Sequence, residues 1–148
     1  MNDVKAHIRN MLPADSAVVK ALMKTFYASD AVHSNGSNAV FEADFNACVS
    51  DSPYLEGFVF EADKQVIGYS MIAKSFATEF GKPCIWIEDL YFMPEYRNKG
   101  IGNLFFEFLF SSYPDHVFRL EAELDNMNAI HLYQKKGFEI LPYVELKR

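Results

Sequence analysis

Residues 97–102, Arg97-Asn98-Lys99-Gly100-Ile101-Gly102, have the types and spacing to hold an anion. An apolar run from Ile85 to Phe92 precedes them, and a second from Asn103 to Phe110 follows. The order reads as strand, glycine-bearing turn and helix start. The first N–H groups of a helix have no intrahelical partner, and the macrodipole adds partial positive charge there. Glycines at 100 and 102 let a ligand approach the backbone closely, while Arg97 and Lys99 add full charge. A phosphate-bearing ligand fits this chemistry. The stretch is not a Walker loop, because Gly102 is followed by Asn103 and Leu104. Nor is it a dinucleotide fingerprint, which would put a third glycine where Phe105 stands.

Two carboxylates, Glu88 and Asp89, interrupt the first apolar run. Strand alternation sends adjacent side chains to opposite faces, so a covered strand buries at least one acid, at a cost unless it is paired. Such a local conflict marks a functional position. Glu88 is placed to accept a proton from an amine, directly or through water, and Asp89 to hold a second positive charge. The plainer alternative is an ion pair with Arg97, Lys74 or Lys82. Further on, residues 120–138 read as an apolar/acidic strand, a cap at Asp125 or Asn126, and a helix closed by Gly137.

Arg97-x-x-Gly100-x-Gly102 resembles the pyrophosphate loop of the GCN5-related N-acetyltransferases. Asn126-x-x-Ala129-x-x-x-Tyr133-x-x-x-Gly137-Phe138 resembles that family's other signature, in the right order. The resemblance covers residues 56–138 well and the first 55 residues in general helical character. It implies acetyl-CoA as co-substrate and direct transfer, without a metal. Residues Arg97, Asn98, Lys99, Gly100, Ile101, Gly102 and Asn103 would receive the pyrophosphate. The main chain of Leu90, Tyr91 and Phe92, on a central strand split from its neighbour, would bind the pantetheine arm, together with Asn126 and Ala129. Tyr133 would be the general acid for the departing thiolate, and Glu88 the base.

Trp86-x-Glu88-Asp89 looks most like the diamine (spermidine/spermine) acetyltransferases and their small bacterial relatives. The implied acceptor is a primary amine of a small cationic metabolite such as a polyamine. The alternatives are an amino acid, an aminoglycoside, a protein N-terminus, or a non-catalytic acyl-CoA-binding module. Tyr27, Asp30 and His33 fall where the family builds its acceptor wall. His33 has surface decoration as its plainer reading, and Tyr133 has packing against the sheet. His7, His116 and His131 have no evident partners. Phe105, Phe106, Phe108 and Phe110 cover too much of their helix for one stripe, which fits a core plus a dimer surface. A homodimer is typical of the resembled family.

The elements that must position these residues are legible. The resemblance implies an α/β (α+β) fold over a single domain, 1–148. Its central sheet is mixed and mostly antiparallel, with about seven strands and four helices in the order β-α-α-β-β-β-α-β-α-β-β. Periodicity places strands at 5–10, 55–62, 65–74, 84–93, 116–125 and 138–147, the last bent near Pro142. Helices fall at 13–28, 40–49, 99–112 and 127–136, with Asp63-Lys64 as a tight turn and a polar loop over 29–38.

With 148 residues, 14 Phe and 8 Tyr, the chain can build one substantial core. Its net charge of −6 argues against a nucleic-acid or anionic-membrane surface and suits a cationic ligand. No apolar run approaches the ~18 residues of a membrane span. Met1 to Lys5 lack the pattern of a secretory signal. Cys48 and Cys84 have no Cys-x-x-Cys spacing, so reduced thiols in a cytoplasmic protein are expected.

Overall fold

The computed structural model describes residues 4–34 and 36–148. Asn35 of the polar loop and residues 1–3 of the start lie outside the described residues. The elements are β1 (His7–Asn10), α1 (Ser16–Tyr27), α2 (Asn38–Val49), β2 (Leu55–Ala62), β3 (Gln65–Ala77), β4 (Lys82–Phe92), α3 (Ile101–Ser112), β5 (Val117–Leu120) and α4 (Met127–Lys135). Short 3₁₀ turns, Pro13–Asp15 and Pro94–Tyr96, precede α1 and the 97–102 turn. The sheet has the order β1-β2-β3-β4-β5, antiparallel throughout except for the parallel β4–β5 pair.

Local chemistry accounts for the boundaries. Pro13 suits a first helical turn, and the buried Asp15 accepts from the Leu12 N–H at 2.8 Å. Arg9 donates to both oxygens of that carboxylate, at 2.8 and 2.9 Å, which holds Asp15 below the usual carboxylate range despite its burial. Ser37 Oγ accepts from Val40 N at 3.2 Å and caps α2. Asp63 and Lys64 take φ of 50° and 64°, the doubly left-handed turn whose twist matches a two-residue hairpin.

Two apolar clusters cover the two faces of the sheet. One joins Phe58, Phe60, Ile67, Ile72, Ile85 and Ile87 to Phe105, Phe106 and Leu109 of α3. The other joins Val59, Tyr69, Met71 and Tyr91 to Leu22 of α1 and Phe41 of α2. The α3 phenylalanines are thus core within this chain: Phe105 and Phe106 are fully buried, and Phe108 and Phe110 pack at the margin. Gly68 allows the tight β3–β4 approach, since a Cβ there would stand 2.4 Å from the Tyr91 carbonyl oxygen.

The central strand is irregular where the acids sit. Met71 pairs with Asp89 but Ile72 pairs with Ile87, so the register slips and Glu88 is the extra residue of a bulge. The slip reverses which face the odd-numbered residues serve. Ile85 and Ile87 pack under α3, whereas Tyr91 packs under α1 and Asp89 meets Tyr27 of that helix.

The sheet has five strands rather than the expected seven or so. β5 ends at Leu120 instead of running to 125, and residues 138–147 pair with no strand. Pro142 has no N–H to give a ladder. The segment runs on beyond α4 with Ile140, Val144 and Leu146 exposed.

Candidate active site

The parallel ladder between β4 and β5 extends from Cys84↔Val117 to Ile87↔Leu120 and stops there. Beyond it, Asp89 to Phe92 pair only with β3, and Glu88 pairs with neither neighbour. Main-chain groups of β4 therefore face an open wedge. The bulge lies at the mouth of this wedge, so the departure of β5 and the irregularity at Glu88 coincide.

The 97–102 turn closes the end of β4. Asn98 has φ 58° and Gly100 φ 84°, and Gly100 forms the N-terminal boundary of α3 with no side chain to cap it. Leu104 N is the first to bond back, to the Gly100 carbonyl at 3.0 Å. The N–H groups of Ile101, Gly102 and Asn103 are thus left to the outside. A Cβ at Gly100 would meet nothing within 4 Å, and one at Gly102 only the Phe92 ring at 3.7 Å. Internal packing does not demand glycine at either place, although φ at Gly100 does. Arg97 folds back on β4: its Nε donates to the Phe92 carbonyl at 3.0 Å, and its guanidinium lies 5.4 Å over the Tyr91 ring. Lys99 is half-buried beside it, and Asn103 donates to Glu107 at 3.2 Å.

Of the α4 residues, Asn126 caps the helix, its Oδ1 accepting from Ala129 N at 3.3 Å. Tyr133 lies half-buried between Phe106 and Phe138, with ring centroids 6.0 and 6.1 Å away. Burial pushes its phenol above the ordinary value, so the hydroxyl keeps its proton at neutral pH. A cavity of about 940 Å³ runs along β5, and Tyr133 and Glu88 both line it. Glu88 is exposed on the cavity side, yet desolvation by the groups around it, and then the like charges of Asp89, Glu145 and Asp44, push its carboxyl upward.

Asp89 is placed differently from its neighbour. It is 4% exposed, and its two oxygens accept from Tyr27 at 2.9 Å and Tyr69 at 2.6 Å. Ser70 Oγ donates to its carbonyl at 2.7 Å. Burial raises the Asp89 carboxyl, and the two phenols partly offset this. Among the described residues neither acid has an ion pair, since Lys74 goes to Glu56 at 2.7 Å and Arg97 to the Phe92 carbonyl. Asp30 is exposed in the turn after α1. His33 is exposed too, with Nδ1 3.7 Å from Glu123, so the loop after α1 reaches the segment after β5.

Sequence reading missed five contributors. Tyr69 is buried and holds Asp89, and Asp44 on α2 is half-buried, its carboxyl raised by burial and by Asp89. Arg119, Glu121 and Glu145 line the cavity. The alternation Arg119-x-Glu121 in the sequence was a usable signal for the first two. Among the described residues no group of His, Cys, Asp and Glu has metal-ligand geometry, and no helix is long and apolar enough to cross a membrane.

The open edge of β4 thus leads to a helix N-terminus free to bind an anion, while the cavity along β5 holds a carboxylate and a protonated phenol. Residues 90–103, Asn126 and Ala129 do not line that cavity. Residues 17–138 match the model of a family described as Acetyltransferase (GNAT) family. The chain is similar in structure to a possible acetyltransferase from Clostridium difficile 630, with TM-score 0.80, 20% identity, and 97% of this chain and 96% of that one covered. It is also similar to the aminoglycoside N-acetyltransferase AAC(6')-Iy in complex with CoA, at TM-score 0.79 and 16% identity, covering 99% and 96%. A third is the ribosomal-protein-alanine N-acetyltransferase from Brucella melitensis biovar Abortus 2308, at TM-score 0.74 and 15% identity, covering 97% and 99%. No curated protein matches the chain by sequence.

Proposed function

Because this chain belongs to the acetyltransferase (GNAT) family, we propose that it moves an acetyl group from acetyl-CoA directly to a primary amine of a small cationic metabolite, a polyamine being one such acceptor. The observation that carries this reading is that Glu88 and Tyr133 line one cavity at the open edge of β4.

The residues present fit the co-substrate. The N–H groups at the start of α3, free of side-chain caps and beside Lys99, suit its pyrophosphate. Main-chain groups of Leu90, Tyr91 and Phe92 lie on the stretch of β4 that lacks a partner on one side, where an amide-bearing arm can add hydrogen bonds. Arg97 lies against Phe92 and steadies this corner. Bound acetyl-CoA supplies the activated thioester.

The chain's own residues handle the protons and the charge. An alkyl amine arrives protonated, with a pKa of about 10, and must lose a proton before attack. The Glu88 carboxylate takes it, and a pKa above the ordinary range brings this base closer to its task. Tyr133 Oη gives the proton that the departing thiolate needs. Glu88, Glu121 and Glu145 line the same cavity and favour a cationic acceptor. Asp89, with both oxygens engaged by phenols, supports the site through position.

The test is release of free CoA with polyamines, amino acids and aminoglycosides. Release with a polyamine supports the reading. If the protein binds acetyl-CoA but turns over none of these amines, it is an acyl-CoA-binding module instead.

A further inference from the structure

Arg119 is a cation without an anion. Its guanidinium carbon lies 4.6 Å from the centre of the Trp86 ring, its Nε is buried with no hydrogen-bond partner, and among the described residues no carboxylate is in ion-pair reach of it. Stacking on an indole offsets part of the cost of burying charge but satisfies none of the guanidinium's hydrogen-bond donors.

The strand register says what surrounds it. Trp86 pairs with Arg119 on the parallel β4–β5 ladder, and Ile87 pairs with Leu120. Glu88 and Glu121 come next, past the end of the ladder. Arg119 lies on β5 and Glu121 one residue past its end. Trp86, Glu88, Arg119 and Glu121 all line the same cavity. The wall therefore has a cationic step and an acidic step about 7 Å apart, two residues of strand rise. Glu121 does not neutralise Arg119, since no ion pair joins them. The other charges on the wall, Lys136 and Glu139, belong to the end of α4 and the segment after it.

A polyamine alone would leave Arg119 unmatched and repelled. A planar guanidinium recognises a carboxylate with paired hydrogen bonds. We propose that the acceptor is a dibasic amino acid, bound with its carboxylate on Arg119 and its distal amine at Glu88. This rests on the acetyl-transfer reading and narrows its cationic acceptor to one that also bears a carboxylate. Trp86 supports the flat guanidinium from below, and Glu121 and Glu145 take up the remaining positive charge.

The experiment compares lysine with 1,5-diaminopentane, the same skeleton without its carboxylate, and with lysinamide, in which the negative charge is gone. The full chain should show a KM for lysine about ten- to a hundredfold below those of the other two, the worth of one charge-assisted pair. Arg119→Gln should erase that preference by raising KM for lysine alone, with kcat little changed. Equal KM values in the wild type, or a preference for the diamine, overturn the proposal and leave acetyl transfer standing. So does an Arg119→Gln protein that weakens all three alike. Absence of CoA release with all three amines overturns the proposal together with the acceptor reading it rests on. The wild-type comparison decides the matter even if Arg119→Gln fails to fold.

Discussion

The Tyr27 hydroxyl on α1 donates to Asp89 Oδ1 on β4 at 2.9 Å, and so ties the first helix to the residue beside the bulge. Tyr69 holds the other oxygen from the adjacent strand. Asp89, expected to hold a second positive charge, has both oxygens engaged by phenols and acts as a fastening between α1, β3 and β4. It pins β4 on the far side of Glu88 and leaves Glu88 pointing to the cavity.

Removing one phenol should therefore loosen this point. Tyr69→Phe keeps the ring packing and leaves a buried carboxylate oxygen without its donor, which costs about 1–3 kcal/mol. Denaturant unfolding should show that loss. A change below the error of the method would mean that Asp89 is uncharged in the folded protein or finds another donor.

Glu88→Gln should lower turnover with every amine tested, because the isosteric amide cannot take a proton. A base works only once ionised, so the wild-type rate should climb with pH through the Glu88 pKa. Desolvation and neighbouring acids raise that pKa, so the climb lies above the ordinary carboxylate range. In Glu88→Gln that limb of the kcat profile should be gone. Its persistence would assign the limb to another group.

Tyr133→Phe should bind acetyl-CoA nearly as well as the wild type and turn over ~10²–10⁴-fold more slowly, the worth of one positioned acid. Calorimetry and steady-state rates separate the two effects. Turnover within a few-fold of wild type would hand the proton to water.

The two glycines of the turn should respond differently. Gly100→Ala meets no neighbour, but φ of 84° costs an L-residue about 1–2 kcal/mol. Gly102→Ala faces only ordinary contact with Phe92, in a first helical turn, and should leave stability the same or slightly higher. Both should weaken acetyl-CoA, since a methyl group stands where the pyrophosphate approaches the backbone. Unchanged affinity in a stable Gly102→Ala protein would move the phosphate site elsewhere.

Glu121 gives the protein a pH-dependent stability. Its hydrogen bond with Glu145, followed by burial and the charge of Glu145, pushes it up to about 7. The folded state holds the proton where the unfolded chain has released it. This contribution is complete below the ordinary glutamate range and is lost as pH rises through 7. Thermal midpoints should fall across that window, modestly because Glu121 is exposed. Glu121→Gln should flatten the slope, and an unaltered slope would point to other carboxyls.

Most of the layout was legible because it depends on local rules. Strand β2, the Asp63-Lys64 turn and the start of α3 at the Gly100 turn follow from alternation, positive φ and a glycine at the helix boundary. What stayed hidden depends on pairs distant in sequence. Nothing near Tyr69 announces Asp89, and nothing near Arg119 announces Trp86, because only the register brings them together. The bulge was invisible for the same reason: a regular strand and a slipped one carry the same residues. The segment after 137 has strand composition, and composition does not say whether an edge will accept it.

The pairing of β1 with β2 has a consequence for how the molecule assembles. β2, β3 and β4 are joined by short turns and close cheaply, whereas the Arg9–Glu61 contact spans 52 positions and encloses both N-terminal helices. As the chain leaves the ribosome, Val19, Leu22, Met23, Phe41 and Phe45 must wait for a sheet face that β2 and β3 begin and Tyr91 of β4 completes. The helices made early are packed by strands made after them.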